Sequence, residues 1–297
     1  METHLAFSGK TVVITGATAG IGYRTALEFC RRGAFVIGVG RNPARCQKAR
    51  EDILAQAPKA KVYFLTADLS RQSEIHTLAA DIKATLNANG LETLNVLVNN
   101  AGLFMDKLIL TEDGIETTIA VNHIAPFLLT HLLLPLLEKS PDSRIITVSS
   151  DSHARTFIHP EHIRKPGIFI SLWQYKASKL ANILFTFEFN QRRQGSAPHA
   201  FAVDPGLVNT DIGLKGTDGF SSFIWRKRQA MGVDPIEPAT TIMYLASNKE
   251  AVNSNAVYWH DSSPKKPAGN ATDPDLARRL WDESCRLCHI ESTREGK

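Results

Sequence analysis

Seven near-continuous apolar runs punctuate the chain at 11–15, 35–40, 61–67, 94–100, 144–150, 199–205 and 255–260. A strand with one wet face alternates apolar and polar residues, whereas unbroken apolar runs suit strands covered on both faces. Between them lie stretches of helical patterning near 20–32, 43–57, 71–89, 112–139, 174–194, 236–248 and 273–288. Strand and helix in strict alternation predict an α/β fold: a doubly wound parallel sheet in a three-layer α/β/α sandwich, with ligands at the carboxyl ends of the strands. The 297 residues, 43% hydrophobic and 22% charged, show no linker and no internal repeat, so one domain is expected over 1–297. The polar segment from Asp261 to Pro274 reads as a surface loop, and 273–288 as a C-terminal helix.

The first apolar run opens KTVVITGATAGIGYRTALEFCRRG, a strand, a glycine-rich turn and an amphipathic helix in direct succession. Gly16 permits a tight bend, Gly20 removes bulk where a pyrophosphate approaches the backbone, and Gly22 lets the helix pack close to the strand. Thr18, Ala19 and Ile21 complete the turn, and the helix N-terminus presents free N–H groups to phosphates. Far along the chain, SLWQYKASKLANILF places Tyr175 and Lys179 four apart on one helix face. A cation beside a phenol stabilises phenolate, so a group that normally titrates near pH ~10 can shuttle a proton at operating pH. That pair is a candidate proton donor to a carbonyl.

Four motifs in order, TGATAGIG at 15–22, NNAG at 99–102, a strand-end serine and YKASK at 175–179, resemble the short-chain dehydrogenase/reductase family over essentially the whole chain. VSSDSHA at 148–154 and SKLANILF at 178–185 are similar to its retinol-dehydrogenase-like branch. The resemblance implies a Rossmann-type fold and an NAD(P)-dependent alcohol dehydrogenase or carbonyl reductase. Its catalytic tetrad maps onto Asn122, Ser150, Tyr175 and Lys179: Ser150 holds the substrate oxygen, Tyr175 donates the proton, Lys179 also holds the nicotinamide ribose, and Asn122 anchors a water leading to solvent. Ser149 is the rival for the serine role. For the cofactor, Asp68 and Leu69 hold the adenine, Asn100, Ala101 and Gly102 flank the adenosine ribose, and Pro205, Gly206, Val208 and Thr210 contact the nicotinamide end. Asp204 departs from the family pattern, either as a turn cap or as an extra charge near the nicotinamide, and the turn is favoured.

The end of the second strand, VGRN, discriminates between cofactors. Gly40 stands where NAD-specific relatives carry an acid, and Arg41 offers a guanidinium for a 2′-phosphate, so NADP(H) is preferred with NAD(H) as the alternative. Pocket walls are expected from Leu103–Leu110, from the span between Ser150 and Tyr175 with His153, His159, His162 and Trp173, and from 214–232. The three histidines lack metal-ligand spacing, so no metal is expected. Phe220, Phe223, Ile224 and Trp225 followed by Arg226–Arg228 admit three readings: an apolar lid near 214–232, core packing, or peripheral membrane contact near 220–228. The substrate expected is a small lipophilic carbonyl or alcohol, bulky and retinal-like or similar.

No run of roughly 18 apolar residues and no signal peptide is evident, so a cytoplasmic location is expected. Cysteines at 30, 46, 285 and 288 fit a reducing compartment, and CRLCH at 285–289 reads as part of an amphipathic helix before it reads as a haem attachment. A net charge of +4 with interspersed acids gives nucleic-acid binding no support. The long helices at 112–139 and 174–194 either form a homodimer interface or bury their faces within one subunit. The competing function is an NADP(H)-binding sensor or interaction module with little turnover.

Overall fold

The computed structural model describes residues 6–208 and 234–292, so the expected lid at 214–232, the run at 220–228 and Thr210 lie outside the described residues. All seven apolar runs form strands: β1 (Thr11–Thr15), β2 (Phe35–Gly40), β3 (Lys61–Thr66), β4 (Val96–Asn99), β5 (Arg144–Val148), β6 (His199–Val203) and β7 (Tyr258–His260). They pair in parallel in the order β3-β2-β1-β4-β5-β6-β7. Val13 lies opposite Ile37 on one side and Leu97 on the other, which places the sequence reversal of the sheet between β1 and β4. That reversal opens the crevice at the carboxyl ends of these two strands.

The strands alternate faces as their pleat requires. Val12, Ile14, Val36 and Val98 pack with Leu27, Phe29, Ile242 and Leu245 of α1 (Gly20–Arg31) and α6 (Ile236–Ser247). Val13, Ile37, Leu97 and Ile145 pack with the helices of the opposite layer: α3 (Gln72–Ala88), α4 (Thr117–Leu137), α5 (Ser171–Arg193) and α8 (Pro274–Leu287). Each such fully buried aliphatic side chain contributes about 1.5–3 kcal/mol. Helix starts follow local chemistry. Asn42 accepts from the Arg45 amide and Pro43 opens α2 (Pro43–Gln56), while Asp273 accepts from Asp275 and Leu276 and Pro274 opens α8.

Helix α4 is long and apolar enough to cross a bilayer, but 78% of its most apolar window is buried inside the protein, the signature of a core helix. Glu116 caps it through the Thr118 and Ile119 amides, and burial raises that carboxyl's pKa. Residues Ala120–Ile124 form a π-helical turn ahead of Pro126, a local widening that recurs at functional sites.

The doubly wound parallel sheet is as expected, and β8 (Ser263–Pro264) adds antiparallel to its β7 edge. One expectation is corrected. The segment 261–274 is therefore not a plain surface loop: Asp261 and Ser262, at φ 47° and 56°, form a two-residue hairpin turn of the type whose twist matches its strands. The remainder of that segment enters α8, preceded after α6 by the short α7 (Lys249–Asn253). On α8, burial pushes the Cys285 thiol up to about 11 and raises Cys288 as well. Both thiols are core groups of a helix over which Arg192 stacks on Trp281 at 4.5 Å.

Candidate active site

A cleft of about 1250 Å³ runs across the carboxyl ends of the strands. At its nucleotide end, Gly16 and Gly20 adopt φ +68° and +55°, where a side chain is strained. A Cβ on Gly22 would sit 2.4 Å from both the Gly16 carbonyl oxygen and Asn100 Nδ2, so Gly22 lies beneath the turn rather than in the cleft. Thr18, Ala19, Gly20 and Ile21 line the wall, and α1 begins there with no side chain capping its amides. Those free N–H groups and the missing side chains form a cradle suited to a pyrophosphate.

Thr15 and Asn100 hold this turn to the neighbouring strand. The Thr15 hydroxyl accepts from the Asn100 and Ala101 amides at 3.0 Å each, and Asn100 Nδ2 donates to the Thr15 carbonyl at 2.8 Å. Thr15 is not among the site residues expected from sequence, although the motif at 15–22 begins with it. Asn100, Ala101 and Gly102 line the cleft as expected, but the Asn100 amide serves the glycine turn. Asp68 and Leu69 line the cleft beyond β3, where the Asp68 carboxylate accepts from the Ser70 amide.

At the end of β2, a Cβ on Gly40 would lie 2.5 Å from Thr18 Cγ2 and 2.7 Å from Cys46 Sγ. A carboxylate has no room there. Arg41 faces the cleft, and Arg45 on α2 joins it, a second guanidinium that no motif spacing announced.

At the other end, α5 presents Tyr175 and Lys179 one turn apart. Lys179 Nζ sits 5.6 Å from the Tyr175 ring centroid and donates to the Val148 carbonyl at 3.1 Å. Burial lowers the Lys179 ammonium to about 8. The Tyr175 ring packs edge-on against Phe104 at 5.9 Å. The two serines part company. Both line the cleft, but Ser149 is buried with its hydroxyl donating to the Lys179 carbonyl at 2.7 Å, whereas Ser150 is half-buried and its Oγ accepts from the Ser152 amide.

Asn122 stands apart from the cleft lining. Its Oδ1 accepts from the Leu103 amide at 2.8 Å and its Nδ2 donates to the Leu103 carbonyl and the Ser178 hydroxyl. From the π-helical turn of α4 it clamps the exit of β4 to α5.

Pro205, Gly206 and Val208 line the cleft after β6. Asp204 does cap the turn, accepting from the Gly206 amide at 3.0 Å, and it also pairs with Lys265 Nζ at 2.7 Å. Lys265 reaches Asp151 at 2.8 Å as well, and that hydrogen bond holds the Asp151 carboxyl below its usual range. Lys265 lies in the segment that reads as a surface loop, so sequence reasoning misses it. Of the three histidines, His153 is buried between the Ser150 carbonyl and the Ala268 amide, while the His159 and His162 rings stand 6.4 Å apart. Leu103, Met105, Leu172 and Leu207 give the cleft its apolar walls.

Residues 10–218 match the family profile described as short chain dehydrogenase. Retinol dehydrogenase 13 of Homo sapiens is 36% identical over 96% of this chain and 86% of its own length, and retinol dehydrogenase 12 of Mus musculus is 34% identical over 97% and 89%. Among solved structures, an uncharacterised protein from Mycobacterium paratuberculosis superposes with a TM-score of 0.68 at 30% identity, over 97% of this chain and 96% of that one. A metagenomic short-chain oxidoreductase in complex with NADP shares the fold, with a TM-score of 0.61 at 24% identity over 86% and 97% of the two chains. With its glycine cradle, its Tyr-x-x-x-Lys helix and these relatives, the chain belongs to the short-chain dehydrogenase/reductase family, on its retinol-dehydrogenase-like branch, as an NAD(P)-dependent oxidoreductase of alcohols and carbonyls.

Proposed function

We propose that the protein reduces a bulky lipophilic aldehyde or ketone, retinal-like in shape and polarity, with NADPH as the hydride source. The observation that carries this reading is the stacking of Tyr175 over the buried Lys179 in a cleft that also holds Ser150. Gly16, Gly20 and the amides of α1 would receive the pyrophosphate, Asp68 and Leu69 the adenine, and Arg41 with Arg45 the 2′-phosphate. The absence of space for a carboxylate at position 40 supports NADP(H) over NAD(H). When bound, the cofactor supplies the hydride that converts the carbonyl carbon to an alcohol.

The chain's own residues supply the rest. Ser150 Oγ donates a hydrogen bond to the substrate oxygen and orients it. The Tyr175 hydroxyl gives that oxygen its proton as negative charge develops, and the Lys179 ammonium stabilises the phenolate left behind. Lys179 would also hold the nicotinamide ribose. Asn122 keeps Leu103 and Ser178 in place beside the pair. Apolar walls at Leu103, Met105, Leu172 and Leu207 support a lipophilic substrate, as does the name of the human relative, retinol dehydrogenase 13. A cytosolic location belongs to the same reading and is supported by four free, buried cysteines.

The test is oxidation of NADPH and of NADH over a panel of aldehydes, ketones, quinones and retinal. Turnover of a lipophilic aldehyde or ketone, favouring NADPH, is the expected result. Tight cofactor binding with a silent panel would replace this reading with a cofactor-binding sensor.

A further inference from the structure

Ser150 sits where β5 ends and a single 3₁₀ turn, Asp151–His153, begins, and its Oγ caps that turn by accepting from the Ser152 amide. The peptide that joins Ser150 to Asp151 is held at both its N–H and its carbonyl by groups fixed from distant parts of the chain. On one side, the Asp151 amide donates to Asp204 Oδ1 at 3.2 Å, and Lys265 ties the same two residues together through their carboxylates. On the other side, the Ser150 carbonyl accepts from the His153 ring at 2.8 Å. The Ala268 amide donates to His153 Nε2 at 3.0 Å, which leaves the ring proton on Nδ1 and aims it at that carbonyl.

Both restraints originate in one short stretch beyond the β7–β8 hairpin. The hairpin sets the register of Lys265, whose amide donates to the Tyr258 carbonyl at 2.8 Å. Asp204 is buried and acceptor-rich, receiving the Asp151 and Gly206 amides besides the ammonium. Without its counter-charge a buried carboxylate seeks solvent or another donor, and the Asp151 amide would lose its fixed acceptor. A cation here also offsets two carboxylates at the wall of a cleft meant for an anionic cofactor.

We propose that Lys265 is a positioning residue for the reaction: bridging Asp204 to Asp151, it latches the end of β5 so that Ser150 Oγ points at the substrate oxygen. The inference rests on Ser150 as the carbonyl-orienting group. It assigns a role to the edge hairpin, which lies well apart from the Tyr175–Lys179 helix in sequence.

The experiment is a double-mutant cycle between Lys265→Met and Ser150→Ala in the full-length protein, read as kcat, KM and NADPH affinity, with hydrogen exchange of the 149–156 amides followed in the cofactor-free protein. A displacement of about 1 Å at a reacting group costs on the order of 100-fold. Lys265→Met is therefore expected to lower kcat by about 10-fold to 100-fold in the native background and by less than about 2-fold in the Ser150→Ala background. The Asp151 amide should exchange faster, and Lys265→Arg should restore both readouts. Asp151→Asn, which removes one arm of the bridge and keeps the fold, should show a smaller loss of the same pattern. Equal losses from Lys265→Met in both backgrounds, or unchanged exchange at Asp151, would overturn the latch. Wild-type kcat for Ser150→Ala alone would instead overturn the serine's role, and the latch with it.

Discussion

At one end of the cleft, Gly16 in the turn after β1, Gly22 in the first turn of α1 and Gly40 at the end of β2 each have a neighbouring atom within 2.9 Å of where a Cβ would stand. At the substrate end, Asp151, Asp204 and Lys265 converge from positions 53 to 114 residues apart. In the proposed function the first end works by leaving side chains out, so that backbone amides can reach a phosphate, and the second by bringing charged side chains together around Ser150. Damage at the first should appear as lost cofactor affinity, and damage at the second as lost turnover with the cofactor still bound.

The largest effect on cofactor affinity is expected at the glycine turn. Gly22→Val forces a side chain onto the Gly16 carbonyl and Asn100, and NADPH affinity should fall about 100-fold or more, equivalent to ~3 kcal/mol. A fluorescence titration decides it, and native affinity would remove the steric basis of the comparison. At the opposite end, Ser150→Ala should lower kcat about 100-fold while leaving NADPH affinity unchanged. Ser149→Ala should spare kcat and reduce stability by about 1 kcal/mol, since its hydroxyl bonds the Lys179 carbonyl. The reverse pattern in steady-state kinetics and urea melts would exchange the two serines' roles.

A smaller and more selective effect is expected from Arg41→Ala, which should weaken NADPH about 10-fold and leave NADH nearly unaffected. Equal losses for the two cofactors would dissociate Arg41 from the 2′-phosphate. The smallest effect concerns Lys179, where the two ends meet. Its folded pKa of about 8 lies below the ordinary 10.5, so between these values the unfolded chain binds the extra proton. The contribution of Lys179 to the stability of the cofactor-free protein thus rises with pH across that window and is lost as pH falls to about 8. Urea midpoints measured through this range should rise in the native protein relative to Lys179→Met, and parallel curves would show that burial does not depress the lysine.

Legibility in the sequence followed the same division. The order and type of the main elements could be read because each apolar strand run carries its own signal, and two helix starts, Asn42-Pro43 and Asp273-Pro274, add a local cap. The glycine turn and the helix that carries Tyr175 and Lys179 were equally legible, since motif spacing and strand ends are local properties. The hairpin turn at Asp261-Ser262 was not, because its residues lack the Asn-Gly or Asp-Gly signature of that turn. Lys265 followed it into obscurity: a lysine in a polar stretch has no local mark of the two carboxylates that await it. Arg45 was missed for a related reason, as its place on the first turn of α2 swings it toward Arg41 only once the helix is formed. Asn122 was found by motif, yet its clamp on Leu103 depends on the π-helical turn of α4.

In the proposed reaction, proton donation by Tyr175 is the step on which both ends of the cleft converge. Its most direct test is single-turnover oxidation of bound NADPH by a carbonyl substrate in the native protein and in Tyr175→Phe, with NADPH affinity measured on the same samples. The phenylalanine preserves the packing against Phe104 and removes only the hydroxyl. A fall in rate of about 1,000-fold at unchanged affinity is the predicted result. A rate near that of the native protein would contradict the assignment of Tyr175 as the acid.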